Sequence, residues 1–210
     1  NGAALAFMPE NMKTAELCFD AVKRCGWALA HIPENFKTAD ICLEAVRQNG
    51  RALEFAPENL KTAEICFEAV KQDAWALEDV PENLRTAEMC FLAVKQRGLA
   101  LEFVPENLKT TEMCLAAVLQ RWSMTQTIDG KSEDIVALKF VPEKLKTAEL
   151  CLEAIKQNAE AFAFIPENMK TEEICSIASS KTALSGESEE TMFPEIEKCA
   201  AEVFLELKKI

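Results

Sequence analysis

Nine cysteines and one histidine are the side chains of this chain that most often serve chemistry elsewhere, as nucleophile, metal ligand or base. Their spacing argues against those roles here. Eight cysteines stand at 18, 42, 66, 90, 114, 151, 175 and 199, stepping by 24 residues except for one step of 37. No C-x-x-C pair occurs, so the common zinc and redox spacings are missing. His31 stands alone, which leaves a triad without its usual base and a His-rich metal site without a second ligand. No phosphate loop is present either. The sequence predicts no catalytic residue, no metal ligand and no cofactor, and hence no enzyme within this segment.

The spacing itself is the informative feature. The prolines at 9, 33, 57, 81, 105, 142, 166 and 194 follow nearly the same steps. A fixed period of this length marks a tandem-repeat architecture. The units run 9–32, 33–56, 57–80, 81–104, 105–141, 142–165 and 166–189, after a partial unit at 1–8. The fifth carries an insertion at 122–134, where Ser, Thr and Asp129-Gly130 predict a loop with a turn. Asn1-Gly2-Ala3-Ala4-Leu5 matches Asn49-Gly50-Arg51-Ala52-Leu53, so the chain starts in mid-repeat and without Met. That predicts a fragment of a longer protein, with any targeting signal upstream.

Each unit predicts two helices. Thr62 is placed to cap a long helix running to about Gln72. Gly26, Gly50 and Gly98 sit just past the long helices, where a left-handed residue is favoured, although Ala74 and Ala159 replace them elsewhere. A shorter helix follows, as at 51–56, and a Pro-Glu-Asn-Leu turn leads onward. The long helix is apolar over most of its circumference, with a polar stripe such as Glu64, Glu68 and Lys71. Such a helix is sandwiched between neighbours. The expected fold class is therefore all-α: an α-solenoid of tandem two-helix repeats, one long and one short helix per unit. Residues 190–210 read as a C-terminal capping helix, with Phe193, Ile196, Cys199, Val203, Phe204 and Leu207 at helical spacing. The register cysteines are expected as small buried hydrophobes, too far apart between packed helices for disulfides. Cys25 reads as a substitution for the Asn or Asp of other units.

Composition excludes further classes. The 210 residues carry a net charge of −12, which disfavours nucleic acid and acidic lipid surfaces. No apolar run approaches the ~20 residues of a membrane span. Free thiols point to a reducing intracellular compartment, the cytoplasm of its own or a host cell.

The consensus P-E-N-L-K-T-A-E-I-C-x-E-A-V-K-Q-x-G-x-A-L-E-F-V resembles the bacterial, viral and algal repeats grouped as domain of unknown function 4116. The likeness runs through whole units over roughly residues 1–180, the insertion apart. It implies repeats of an interaction type and transfers no catalytic residue. The period also resembles that of leucine-rich-repeat variants, which alternate α- and 3₁₀-helices, though their sequence pattern differs.

Function is expected where the register varies. The residue after the helix-ending Gly is Ala3, Trp27, Arg51, Trp75, Leu99, Val136 or Glu160. Trp and Arg are enriched at interface hot spots, so Trp27, Arg51, Trp75 and Leu99 form one candidate partner-binding surface. The competing reading packs each Trp against the next unit. A Phe ladder at 7, 55, 103, 140 and 164 is interrupted by His31 and Asp79. The polar stripe is broken by Leu92, Ala116 and Leu119, beside the insertion. Leu92, Leu119 and Trp122 are a second candidate site, for a partner or self-association, unless the insertion folds back over them. The expected role is a non-enzymatic scaffold binding a protein or peptide, with basic ones favoured. The alternatives are an accessory region of an enzyme or secreted effector whose catalytic part lies elsewhere, and a structural spacer whose tryptophans are buried.

Overall fold

The computed structural model describes residues 2–120 and 136–185, with side chains for 4–120 and 136–181. These residues hold α-helices and 3₁₀-helices and no strand. The α-helices are α1 (Ala15–Arg24), α2 (Ala39–Gln48), α3 (Ala63–Gln72), α4 (Ala87–Gln96), α5 (Thr111–Leu119), α6 (Ala148–Gln157) and α7 (Glu172–Ser185). The chain divides into two compact units, Asn1–Leu108 and Lys109–Ile210.

Every α-helix from α1 to α6 starts in the same way. The capping threonine holds an extended backbone, and its hydroxyl accepts the amide three residues on. Thr62 accepts from Ile65 at 3.3 Å and Thr86 from Met89 at 3.2 Å. An acid sits in the first turn of each, where the helix dipole favours it.

The predicted short second helix is a 3₁₀-helix. Gly26–His31, Gly50–Phe55, Ala74–Asp79 and Gly98–Phe103 are its copies in the first unit. Six residues is long for this form, whose hydrogen bonds are poorer than those of an α-helix. Packing sustains it: Ala52, Leu53, Ala76, Leu77, Ala100 and Leu101 are fully buried. Its start is capped in turn. Asn49 Oδ1 accepts the Arg51 amide at 3.1 Å, and Asp73 Oδ1 accepts that of Trp75 at 3.0 Å. Cys25, which stands where those residues would, forms no side-chain cap. The proline turn is a three-residue 3₁₀ piece, in which Pro57 offers its carbonyl to Leu60 N at 2.9 Å.

Two layers result, with the core between them. In Asn1–Leu108, α1 to α4 pack in chain order, and the 3₁₀-helices pack on one another alongside. In Lys109–Ile210, α5, α6 and α7 do the same, beside Ala137–Phe140 and Ala159–Phe164. The α-helices are less enclosed than their composition suggests. On α3, Ile65, Cys66, Ala69 and Val70 are buried, Phe67 and Glu68 are half-buried, and Ala63, Glu64, Lys71 and Gln72 are exposed. One face is core and the other meets solvent.

The helix-ending glycines serve a different purpose from the one expected. The residues before them, Cys25 and Asn49, are extended with φ of −159° and −154°, and neither glycine needs a left-handed backbone. A Cβ at Gly26 would run into the carbonyl oxygen of Ala45, and one at Gly50 into that of Ala69. Glycine is required there by the close approach of the following α-helix.

The thiol ladder holds for six of its rungs. Cys18, Cys42, Cys66, Cys90, Cys114 and Cys151 are free and buried. Burial pushes the Cys66 and Cys90 thiols up to about 11. Cys175 departs from the expectation, being disulfide-bonded. It lies buried on α7, four residues after Thr171, at the same rung position as the free thiols. The proposed cap at 190–210 lies outside the described residues.

Candidate functional site

The variable residues Trp27, Arg51, Trp75 and Leu99 all occupy the second position of a 3₁₀-helix. The Asx cap fixes the backbone beneath Arg51 and Trp75. Trp27 is 41% exposed. Its ring meets Phe55 of the next unit edge-on, with centroids 5.6 Å apart at 63°. Trp75 is half-buried and meets Phe103 in the same manner, at 5.9 Å and 75°. Edge-to-face pairs of this kind contribute about 0.5–1.5 kcal/mol beyond area burial. Each tryptophan is therefore both an inter-unit contact and part of the surface.

The two irregular ladders are one device. The variable position of one unit faces the Phe-ladder position of the next, giving Trp27 with Phe55 and Trp75 with Phe103. In the same register Arg51 and Asp79 stand where the flanking units hold Trp and Phe. Burial raises the Asp79 carboxyl above its ordinary 3.8, and Glu54 adds to this, while Lys61 and Arg51 oppose it. His31 is exposed, and Phe7 is 90% exposed.

The described residues of the second candidate site fall in different compact units. Leu92 is half-buried on α4, within Asn1–Leu108. Leu119 is 46% exposed at the end of α5, within Lys109–Ile210. Trp122 and the rest of the insertion at 122–134 lie outside the described residues.

Two features went unread in the sequence. The first is the lysine that follows Pro-Glu-Asn-Leu. Lys37 Nζ donates to the Phe55 carbonyl at 2.9 Å and pairs with Glu34 at 2.7 Å. Lys61 reaches the Asp79 carbonyl at 3.1 Å, Lys109 that of Phe140 at 3.0 Å and Lys146 that of Phe164 at 2.8 Å. Each acceptor is the last residue of a 3₁₀-helix, where carbonyls lack partners and a cation is favoured. The side chains of Lys37, Lys61 and Lys146 are only 9%, 8% and 6% exposed. Arg85 goes further. Its guanidinium donates to Phe103 at 2.5 Å and back to Val80 at 2.9 Å and Glu78 at 3.2 Å. The signal was a base at 13, 37, 61, 85, 109, 146 and 170.

The second is a groove of about 530 Å³ between α1 and α2. Phe19, Phe36, Ile41 and Leu43 line it, with Asp40, Glu44 and Arg47 around them. Phe36 is the clue: the equivalent residue is Met12, Leu60, Leu84, Leu108, Leu145 or Met169 elsewhere.

Among the described residues no group of three or more His, Cys, Asp or Glu is placed to hold a metal ion. No described helix is long and apolar enough to cross a membrane. No curated protein and no solved structure matches the chain. The family described as a domain of unknown function (DUF4116) matches residues 14–61, 39–85, 63–109 and 127–170. Those spans follow the 24-residue register and cover most of the chain, which belongs to the DUF4116 family of repeats.

Proposed function

We propose that this chain is a non-enzymatic scaffold that binds a protein or peptide along its 3₁₀ face. The observation that carries the reading is Trp27. A large aromatic residue held 41% exposed, with its edge fixed on Phe55, is an anchor that loses little freedom on binding. Arg51, also exposed, stands one unit on from it, and Trp75 and Leu99 follow, half-buried, in the same register. The framework beneath supports such a role, since no buried side-chain nitrogen or oxygen among the described residues lacks a hydrogen-bond partner. The fold is uniform where it is buried and varied where it is exposed.

Selection of a peptide library on the immobilised chain tests this. Enriched peptides are expected to lose at least about tenfold in affinity for Trp27→Ala with Arg51→Ala, a factor equal to about 1.4 kcal/mol, with an unchanged circular dichroism spectrum. Enriched peptides that bind the double variant as tightly as the parent chain would overturn the assignment. The spacer reading draws on Trp75, whose half-burial against Phe103 makes it as much a packing residue as a surface one. It predicts that no sequence is enriched at all.

A further inference from the structure

We infer that the open face of α1 is an interface of the repeat itself, and that it seats one further unit of the same repeat, in register ahead of Asn1. This face lies at one end of the stack α1 to α4 and stands or falls apart from the binding surface at Trp27.

The third residue of each α-helix reports what packs before it. Ile41, Ile65, Met89, Leu150 and Ile174 hold this position on α2, α3, α4, α6 and α7, each of which packs on the α-helix preceding it. All five are at most 5% exposed, and Ile41 lines the space between α1 and α2. Leu17 holds the same position on α1 and is 44% exposed. The residue type is alike, so the difference is the helix that would lie before α1. Other positions change in the same sense. Ala21 is half-buried where Ala45, Ala69 and Ala93 are fully buried. Met12 is 60% exposed where Phe36, Leu60 and Leu84 are half-buried. Phe7 is 90% exposed where Phe55 and Phe103 are half-buried under a tryptophan. An apolar patch of this kind marks an interaction surface.

The later units identify the occupant, because they show the same positions covered. Three fittings recur at each junction. An α-helix lies over the third residue and the alanine. The variable residue of the preceding unit meets the Phe-ladder position, as Trp27 meets Phe55 and Trp75 meets Phe103. A lysine donates to the carbonyl that ends the 3₁₀-helix, as Lys13 does to His31, Lys37 to Phe55 and Lys61 to Asp79. Carried back by one step, the aromatic partner of Phe7 and the lysine for its carbonyl both fall ahead of Asn1. A lone apolar peptide supplies cover for Leu17 but neither of these. A further unit supplies all three at their proper spacing, through the nearest-neighbour interface on which a repeat stack is built.

The test joins a copy of residues 25–48 ahead of Asn1 in the full chain. The junction Gln48-Asn1-Gly2 then repeats Gln48-Asn49-Gly50, and the copy carries its own Trp27 and Lys37 into register with Phe7. In native-state hydrogen exchange, the Cys18 and Val22 amides of α1 are expected to become at least about tenfold more protected than in the parent chain. Leu17→Asp is expected to cancel that gain in the extended chain and to change exchange far less in the parent, where Leu17 already meets solvent. A second chain carries the same copy between Gln48 and Asn49, and its helix is expected to be protected there as well. Protection inside the chain without protection ahead of Asn1 would overturn the assignment. A copy unprotected in both places would overturn it too, since the units would not be interchangeable. Sedimentation of the parent chain tests the other occupant: a dimer that Leu17→Asp dissociates would give the face to a second copy and sink the proposal.

Discussion

At the scale of single residues, the chain uses reactive groups for packing. Cys66 and Cys90 have no exposed surface, and burial holds their thiols at about 11. Thiolate is the reactive form, so these rungs are expected to resist iodoacetamide in the native chain. Cys25, only half-buried, is expected to react first. Peptide mapping before and after denaturation checks the order. The same shift sets a pH dependence. The folded value lies above the ordinary 9.0, so the stabilisation is complete below pH 9 and is lost as pH rises toward 11. Urea midpoints are expected to fall across that interval, and to fall less steeply in Cys66→Ala with Cys90→Ala. Lys61 makes the opposite use of a charged group. Lys61→Met keeps the buried stem but leaves the Asp79 carbonyl without its donor and Glu58 without its ion partner. A loss of about 1.5–3 kcal/mol is expected in urea unfolding. Loss below about 0.5 kcal/mol would mean the ammonium is replaced by water at no cost.

At the scale of elements, the register of pairs can be rewritten. Arg51 and Asp79 stand where flanking units hold Trp and Phe, and Asp79 is held in a setting that disfavours its charge. Arg51→Trp with Asp79→Phe is expected to stabilise the chain by about 1–2 kcal/mol, through one more aromatic pair and one fewer desolvated carboxylate. Each single change is expected to gain less than half of that, and a double-mutant cycle measures the coupling. The α-helices were legible because Thr62, its copies and the apolar period are local signals. The 3₁₀ form of the second helix was not, since Ala, Leu and Phe at 52, 53 and 55 suit either helix and only packing across units decides between them. The glycines were read as dihedral devices because Gly26 and Gly50 sit where caps sit. The carbonyls that exclude a Cβ come from the next unit, which no local pattern contains. Trp27 stood out as an irregularity, whereas its partner Phe55 follows from a spacing that only the fold supplies. The lysines escaped notice because a solvated charge is the ordinary fate of Lys in a polar turn, and burial on a distant carbonyl leaves no mark nearby.

At the scale of the whole molecule, the charge is laid out by repetition. A net charge of −12 is distributed as Glu34, Glu58 and Glu82, or Asp20, Glu44 and Glu68, at one acid per unit per row. Like charges in rows repel, and the compact state concentrates them. Salt at about 1 M shortens the screening distance to about 3 Å, so the melting temperature is expected to rise with added sodium chloride. A fall would show that pairs such as Glu58 with Lys61 outweigh the repulsion. The lysine contacts carry a consequence for how such a chain can grow. From Lys37 to Phe55, and from Lys61 to Asp79, the clasp opens and closes within eighteen residues, inside a single period. A duplication or deletion of one whole period copies or removes a complete clasp and strands none. Arg85 is the exception, because its guanidinium also grips Val80 and Glu78 of the period before. Inserting or removing one period therefore leaves the lysine clasps of Asn1–Leu108 whole, and Pro81 is the junction at which the base of the clasp, Arg85, also depends on the period before.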